Sequence, residues 1–281
     1  MRNLAVIGSG SWGLAIAKHL TENGHNVKVW SYSEDEIFDL NNNRKSKYLP
    51  GIVFPEELKA YNNFKEVIDG AGYIFHVTPS INTREVIKQY KDYVNNDQVI
   101  VMCSKGFEKS TKMTLEEVIK EELPQNEIAV FTGPSHAEEV SLDIPTAMVL
   151  ASENDEILED LTNILQGQMM RVYATHDVIG ASLGGALKNI LAFCAGVVAG
   201  LDYGDNTFAA MVTRGLVELS RFSKALNADP HTIYGLSGLG DLIVTSMSNH
   251  SRNRRAGILL AKGYTIDKIK EEIRTNNWKY R

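Results

Sequence analysis

The sequence predicts an α/β domain, in which helices cover a parallel sheet, followed by an all-helical domain. Up to Asp177, short runs rich in β-branched and aromatic residues alternate with amphipathic stretches, a pattern typical of parallel strands joined by helices. A glycine-rich turn directly follows the first apolar run. After Asp177 the strand-like alternation disappears and long helical patterns follow. We therefore predict two domains, residues 1–177 and 178–281.

The elements of the first domain are predicted from short apolar runs and from amphipathic spacing. The apolar runs predict strands at Leu4–Ile7, Asn26–Trp30, Tyr73–Val77, Gln98–Cys103, Ile128–Phe131, Ala147–Ala151 and Arg171–Ala174. The amphipathic stretches predict helices at Ser11–Asn23, Thr83–Tyr93, Thr114–Glu122 and Asp155–Leu165. The helices predicted for the second domain are Val178–Ala199, Asn206–Leu226, Ser251–Ala261 and Thr265–Ile273.

Composition limits the classes of function. The chain has 281 residues, of which 43% are hydrophobic and 23% charged, the balance of a globular protein. Its net charge of −6 provides no overall basic field for nucleic acid, so an anionic ligand has to be held by a local cluster. No signal peptide is visible, and Cys103 and Cys194 lie in apolar runs, so we expect a cytoplasmic protein with two reduced, buried thiols.

One apolar stretch is long enough to raise the question of a membrane span. It runs from Val178 to Leu201, and Lys188 near its centre is its only charge. A charge at that depth in lipid is costly. We therefore predict a buried helix and no membrane span.

The glycine-rich turn, Gly8-Ser9-Gly10-Ser11-Trp12-Gly13, predicts a dinucleotide site of the Rossmann-like kind. It follows an apolar strand and opens a helix at Ser11, the context that this motif requires. Gly8 permits a tight turn, Gly10 lets the backbone approach a pyrophosphate, and Gly13 lets helix and strand pack closely. The helix N-terminus adds N–H groups for the phosphates.

The residues after the second predicted strand leave the choice between NAD and NADP open. An NAD enzyme often places an acidic residue at the end of this strand, where it binds the adenosine ribose. Here the strand is followed by Ser31, Tyr32 and Ser33, and Glu34 and Asp35 come slightly later. No arginine for a 2′-phosphate is nearby, so the pattern favours NAD without deciding between the two.

Lys188, in the segment Ser182–Leu191, has two interpretations on spacing alone. Gly184 lies one turn earlier on the same helix face and is predicted to leave room for a ligand beside the ammonium. A free lysine, with a pKa of about 10.4, is a poor base near neutrality, but burial and a neighbouring cation lower that value. The alternative is a core lysine whose ammonium extends to solvent.

Six motifs together resemble a known family. They are GSGSWG at 8–13, SKG at 104–106, GPSHAEE at 133–139, GGALKN at 184–189, GLGDL at 238–242 and SRNRRAG at 251–257. Their order and spacing are similar to those of the bacterial NAD(P)-dependent sn-glycerol-3-phosphate dehydrogenases. The resemblance implies a cleft between two domains where sn-glycerol 3-phosphate and dihydroxyacetone phosphate are interconverted for glycerophospholipid synthesis.

The resemblance also implies roles for individual residues. Lys188 is the catalytic residue, which takes the proton from the C2 hydroxyl as hydride leaves C2. The implied substrate contacts are Lys105, Gly133, Ser135, Lys188 and Asp241, together with Ser251, Arg252 and Asn253, which hold the phosphate. Beside the three glycines, the implied contacts of NAD or NADP are Ser11, Trp12, Tyr32, Lys105, Ala137 and Arg252. No metal site is predicted, and a homodimer is the candidate assembly.

Lys105 and Asp241 are expected to act on Lys188 in opposite directions. A second ammonium beside Lys188 lowers its pKa by like-charge repulsion, whereas a carboxylate orients Lys188 and raises its pKa. The sequence does not decide which influence is larger.

The C-terminal residues differ from the family pattern. From about Arg274 the sequence departs from it, and Trp278 stands where the family carries a glutamate that contacts the cofactor. This departure predicts that the C-terminal helices of the family are lost or replaced, or that the sequence is truncated. It leaves two alternatives to an active glycerol-3-phosphate dehydrogenase. One is a weak or inactive relative that only binds nucleotide. The other is a dehydrogenase of another hydroxy compound, against which the phosphate-binding Ser251–Asn253 run argues.

Overall fold

The structure, a computed structural model, describes residues 1–248 and 251–275, so Trp278 lies outside the described residues. Its sheet has eight strands in the order β3-β2-β1-β4-β5-β6-β7-β8. The strands are β1 Asn3–Ile7, β2 Asn26–Trp30, β3 Lys59–Tyr61, β4 Tyr73–His76, β5 Val99–Met102, β6 Ile128–Thr132, β7 Thr146–Ala151 and β8 Met170–Thr175. The predicted α/β architecture is confirmed, with one pair of strands as an exception to the parallel sheet.

The exception is the β6–β7 pair, which is antiparallel. Between these strands lies α6 Ala137–Ser141, a helix of five residues. At 1.5 Å per residue it spans about 7.5 Å, whereas a five-residue strand such as β6 spans about 17 Å. The antiparallel register means that β7 starts at the edge of the sheet where β6 ends, and this short helix does not carry the chain back across the sheet.

The bounds of the long helices agree closely with the predicted ranges. In the first domain the remaining helices are α1 Ser11–Glu22, α2 Glu34–Phe38, α3 Phe64–Ile68, α4 Thr83–Tyr90, α5 Leu115–Glu122 and α7 Asp155–Leu165. After β8 they are α8 Val178–Gly200, α9 Asp205–Ala225, α10 Asp241–Met247, α11 Arg252–Ala261 and α12 Ile266–Thr275. Five short elements were not predicted from the sequence: β3, α2, α3, α6 and α10. Each of these has three to seven residues, too few to show a period.

Alternation along the strands divides the core between the two faces of the sheet. In β1, Leu4 and Val6 belong to a cluster with residues of α1 and α7. Ala5 and Ile7 belong to a second cluster, with residues of α3, α4 and α5. This period of two, with helices on both faces, gives a three-layer first domain.

Helix α8 is the centre of the helical part and packs against α9, α10 and α11. By length and composition alone it is apolar enough to cross a membrane. Its packing is that of a core helix, as predicted: a Cβ on Gly196 would lie 1.9 Å from the carbonyl oxygen of Arg254 in α11. The prediction of two buried thiols is wrong for Cys194, which is partly exposed because the neighbouring helices do not enclose α8 completely there, while Cys103 is buried.

Candidate active site

The glycine-rich turn has the geometry of a dinucleotide-binding loop. Gly8 has φ +124°, a conformation that disfavours any side chain, and its Cβ would lie 2.6 Å from the carbonyl oxygen of Val77. A Cβ on Gly13 would lie 2.0 Å from the carbonyl oxygen of Gly8, so helix α1 approaches the strand as closely as predicted. A Cβ on Gly10 would meet nothing within 4 Å, and no side chain caps α1. The N-terminus of α1 is therefore open to a pyrophosphate.

The other candidate cofactor contacts lie around this turn. Ser11 is the first residue of α1, and the ring of Trp12 stacks on Phe131 with 6.4 Å between centroids. Tyr32, just after β2, is 75% exposed. Ala137 is buried as the first residue of α6, so it would offer a ligand its backbone or methyl group only. These four contacts stay predictions.

The acidic residues after β2 do not settle the choice of cofactor. Glu34 and Asp35 are exposed in the first turn of α2. The buried Glu36 accepts a hydrogen bond from Ser46. Ser31, at the end of β2, is hydrogen-bonded to Ser9 of the glycine-rich turn, with 2.7 Å between the hydroxyl oxygens.

A cluster of two ammonium groups and one carboxylate forms the candidate catalytic centre. Lys188 of α8 donates to Asp241 Oδ1 at 2.6 Å, and Lys105 donates to Asp241 Oδ2 at 2.6 Å. Lys188 also donates to the hydroxyl of Thr245, 2.5 Å away. Asp241 and Thr245 are four residues apart on α10 and therefore share a face of that helix.

The environment of Lys188 answers the question that the sequence left open. Lys188 is 8% exposed, and its pKa is lowered to about 8. Burial is the largest cause, because it penalises the charged form, and the charge of Lys105 lowers the pKa further. Asp241 raises it, through its charge and its hydrogen bond, but does not offset the other two. A lysine with a pKa of about 8 can accept or donate a proton near neutral pH.

Residues that follow the carboxyl ends of β5 and β6 lie beside this cluster. Lys105 follows β5 and donates to the carbonyl oxygen of Gly133, 2.8 Å away, which follows β6. The hydroxyl of Ser135 donates to the same oxygen at 3.0 Å. Ligands of open parallel sheets bind at the carboxyl ends of the strands, where these residues lie.

The first turn of α11 contacts α8 at the residue after Lys188. Ser251 is buried and caps the helix by accepting a hydrogen bond from the N–H of Arg254. Asn253 donates to Asn189, the residue after Lys188, at 2.8 Å. Arg252 lies between Ser251 and Asn253 and is exposed. The structure thus brings the candidate phosphate-binding run beside the lysine-bearing segment, and the phosphate contacts themselves stay predictions.

The structure corrects one expectation and adds two residues. Gly184 does not leave room for a ligand, because its Cβ would lie 2.8 Å from the carbonyl oxygen of Ser237. It therefore serves the packing of α8 against the segment Leu236–Gly240, which precedes α10. The two added residues, Thr245 and Asn189, were not predicted from the sequence as site residues. Thr245 lies one helical turn after Asp241, a spacing that would have indicated it had α10 been predicted.

Comparisons with known proteins match both parts of the chain. The sequence model described as NAD-dependent glycerol-3-phosphate dehydrogenase N-terminus matches residues 3–158, and the C-terminus model of the same family matches residues 177–278. The glycerol-3-phosphate dehydrogenase [NAD(P)+] of Fusobacterium nucleatum is 46% identical over 276 residues, which cover 97% of this chain and 82% of the relative. The enzyme of the same name from Clostridium tetani is 42% identical, with 97% and 78% covered.

Solved structures agree with these matches. The crystal structure of glycerol-3-phosphate dehydrogenase from Coxiella burnetii superposes with a TM-score of 0.91 at 40% sequence identity, covering 98% of this chain and 85% of that one. Both the sequence and the fold of the two parts are therefore shared with enzymes of one kind. The chain belongs to the family of NAD-dependent glycerol-3-phosphate dehydrogenases.

Proposed function

We propose that the protein is an NAD(P)-dependent oxidoreductase that interconverts sn-glycerol 3-phosphate and dihydroxyacetone phosphate. The observation that carries this proposal is the cluster of Lys188, Asp241 and Lys105, in which the pKa of a buried lysine falls to about 8. The names of relatives at 42–46% identity support the choice of substrate. The open N-terminus of α1 at Gly10 fits the pyrophosphate of the cofactor.

In the cluster, Lys188 transfers the proton and Asp241 positions Lys188. A bound nicotinamide dinucleotide supplies the acceptor or donor of hydride. Lys188 accepts the proton of the C2 hydroxyl during oxidation and returns it to the carbonyl oxygen during reduction. Asp241 holds the Lys188 amine in place by a 2.6 Å hydrogen bond, and Lys105 binds the other oxygen of the same carboxylate.

The direct test is a turnover assay. The purified protein is mixed with dihydroxyacetone phosphate and either NADH or NADPH, and loss of the nicotinamide absorbance is followed. Binding of reduced nucleotide without turnover would instead favour the weak or inactive relative. Two observations support the enzyme: the Lys188–Asp241–Lys105 cluster, and the alignment of 97% of the chain with a relative named glycerol-3-phosphate dehydrogenase [NAD(P)+].

The pH dependence of turnover follows from the lowered pKa of Lys188. Reduction needs the protonated amine, so its kcat is expected to fall as pH rises through about 8. Oxidation needs the neutral amine, so its kcat is expected to rise through the same pH. Steady-state rates in both directions from about pH 6 to 10 measure this. Two profiles that move in the same direction would contradict the role of Lys188.

Arg252 is expected to bind the substrate phosphate. A hydrogen bond to a charged group contributes about 1.5–3 kcal/mol, so Arg252→Ala should raise the KM for dihydroxyacetone phosphate by roughly ten- to a hundredfold. The KM for the cofactor should also rise somewhat, because the resemblance places Arg252 near both. Arg171, another exposed arginine, on β8, gives a matched control. If Arg252→Ala and Arg171→Ala have the same KM as the unchanged protein, the phosphate binds elsewhere.

The cellular setting and the assembly are further proposals. We propose a cytoplasmic enzyme that supplies the glycerol phosphate backbone of phospholipids and assembles as a homodimer. Light scattering after size-exclusion chromatography gives the mass of the assembly, and the mass of one chain, 31.2 kDa, would contradict the dimer.

A further inference from the structure

Helix α8 contacts the first domain directly at Ser182 and Gly185, and at Lys188 it contacts the first domain through Asp241 of α10. Ser182 donates a buried hydrogen bond of 2.5 Å to Glu116 of α5. Lys188 reaches Asp241, which also binds Lys105 from the first domain. Gly185 lies between Ser182 and Lys188 in α8, and it presents no side chain.

The space beside Gly185 is filled by side chains of the first domain. A Cβ on Gly185 would lie 3.0 Å from the hydroxyl oxygen of Thr132 and 3.2 and 3.3 Å from Cγ and Cδ of Lys105. The aliphatic stem of Lys105 therefore lies directly over this glycine. From there its ammonium reaches both Asp241 and the carbonyl oxygen of Gly133.

The two adjacent glycines of α8 have different neighbours. Gly184 faces the backbone of Ser237 and Gly238. The close packing of α8 against this backbone is sufficient to explain why residue 184 has no side chain. The nearest neighbours of Gly185 are side-chain atoms only, and two of the three belong to a residue of the candidate active site. Glycine destabilises a helix interior relative to alanine. Helix stability therefore does not explain the glycine at position 185.

We propose that Gly185 is a positioning residue for Lys105: its missing side chain leaves the space through which the Lys105 stem passes to reach Asp241. Helix α8 then does more than carry Lys188, because it also sets where the second ammonium of the cluster lies. This inference rests on the proposed function for its kinetic readout.

A side chain at position 185 is expected to change the pKa of Lys188 by displacing Lys105. The charged groups that shift the pKa of Lys188 are Lys105, from the segment after β5, and Asp241, from α10. Thr245 of α10 adds an uncharged hydroxyl. If Lys105 is displaced, Lys188 loses a like charge and no longer shares the carboxylate of Asp241. Both changes raise the pKa of Lys188.

The experiment compares Gly185→Ala with Gly72→Ala. Gly72 is exposed, its Cβ would meet nothing within 4 Å, and it precedes β4, outside the candidate site. In Gly185→Ala, the new methyl group would push back the Lys105 stem, whose Cγ and Cδ would lie 3.2 and 3.3 Å from it, so the fall of kcat for reduction should move to higher pH, by up to about one unit. Gly72→Ala should keep the profile of the unchanged protein. Equal profiles for all three proteins would overturn the proposal.

Two further measurements separate positioning from mere packing. In the Lys105→Ala background, adding Gly185→Ala should leave the pH profile as it is, because the residue through which Gly185 acts has been removed. An equal further shift in this background would overturn the proposal. Should Gly185→Ala fail to fold, adding Lys105→Ala should recover folding, because it removes Cγ and Cδ of Lys105, whereas adding Thr132→Ala, which removes the other neighbour, should not. Any other result would overturn the proposal.

A third measurement does not depend on turnover. Competitive acetylation with acetic anhydride at several pH values, quantified by mass spectrometry, reports the titration of the Lys188 amine itself. Gly185→Ala should move this titration upward relative to Gly72→Ala, and an unchanged titration would overturn the proposal. If Gly185→Ala shows this shift but the unchanged protein does not turn over dihydroxyacetone phosphate, the proposed function is refuted. The positioning role of Gly185 would still be supported.

Discussion

Replacing Lys188 by alanine is expected to lower kcat by about 10²–10⁴-fold, the usual contribution of a general acid–base group. The change removes the buried amine whose pKa is about 8 and which Asp241 holds at 2.6 Å. Binding of the dinucleotide should persist, because the glycine-rich turn belongs to another part of the fold. Steady-state kinetics and calorimetric titration with NADH measure the two effects separately.

Two further variants sharpen this test. Lys188→Arg should not restore turnover, since a guanidinium stays protonated at any working pH. Lys18→Ala is a matched control, because Lys18 is also a buried lysine with carboxylate partners, Glu22 and Asp143, but lies on α1. Its kcat should stay near that of the unchanged protein. If Lys188→Ala were as active as Lys18→Ala, the assignment of Lys188 would be wrong and Lys105 would become the candidate.

Replacing Gly10 by valine is expected to weaken dinucleotide binding by roughly ten- to a hundredfold. The space next to the Gly10 Cα is open, so the valine side chain would occupy the volume that the pyrophosphate needs. At least one charge-assisted hydrogen bond of about 1.5–3 kcal/mol is then lost, which gives this range. The same openness means that the variant should fold.

Calorimetric titration of NADH and NADPH, with a thermal melt of each protein, measures this expectation. Gly72→Val is a suitable control, because its Cβ also points into open space but lies outside the turn. Equal affinity of Gly10→Val and the unchanged protein would remove the turn from the cofactor site. A lower affinity together with a collapsed melting transition would show misfolding instead of a blocked pyrophosphate.

Local patterns alone determined the long elements and the glycine-rich turn. The predicted helices α1 and α7 and the strand β2 agree with the structure to within one residue, because each shows a full period of its pattern or a clear end signal. The turn at Gly8–Gly13 was predictable because the positive φ of Gly8 and the close approach of Gly13 to the carbonyl oxygen of Gly8 depend on residues near one another in sequence. The resemblance to a family supplied the candidate residues of the site.

The tertiary structure decided what depends on distant neighbours. Lys188 and Asp241 are 53 residues apart, and Lys105 and Asp241 are 136 apart, so no local pattern could give the distances within the cluster. The direction of the Lys188 pKa shift needed those distances and the degree of burial together, because burial and Lys105 oppose Asp241. The neighbours of Gly184 and Gly185 likewise depend on which turn and which side chains pack against α8. These are properties of chain segments that meet only after folding, and the free energy that shifts the pKa arises where they meet.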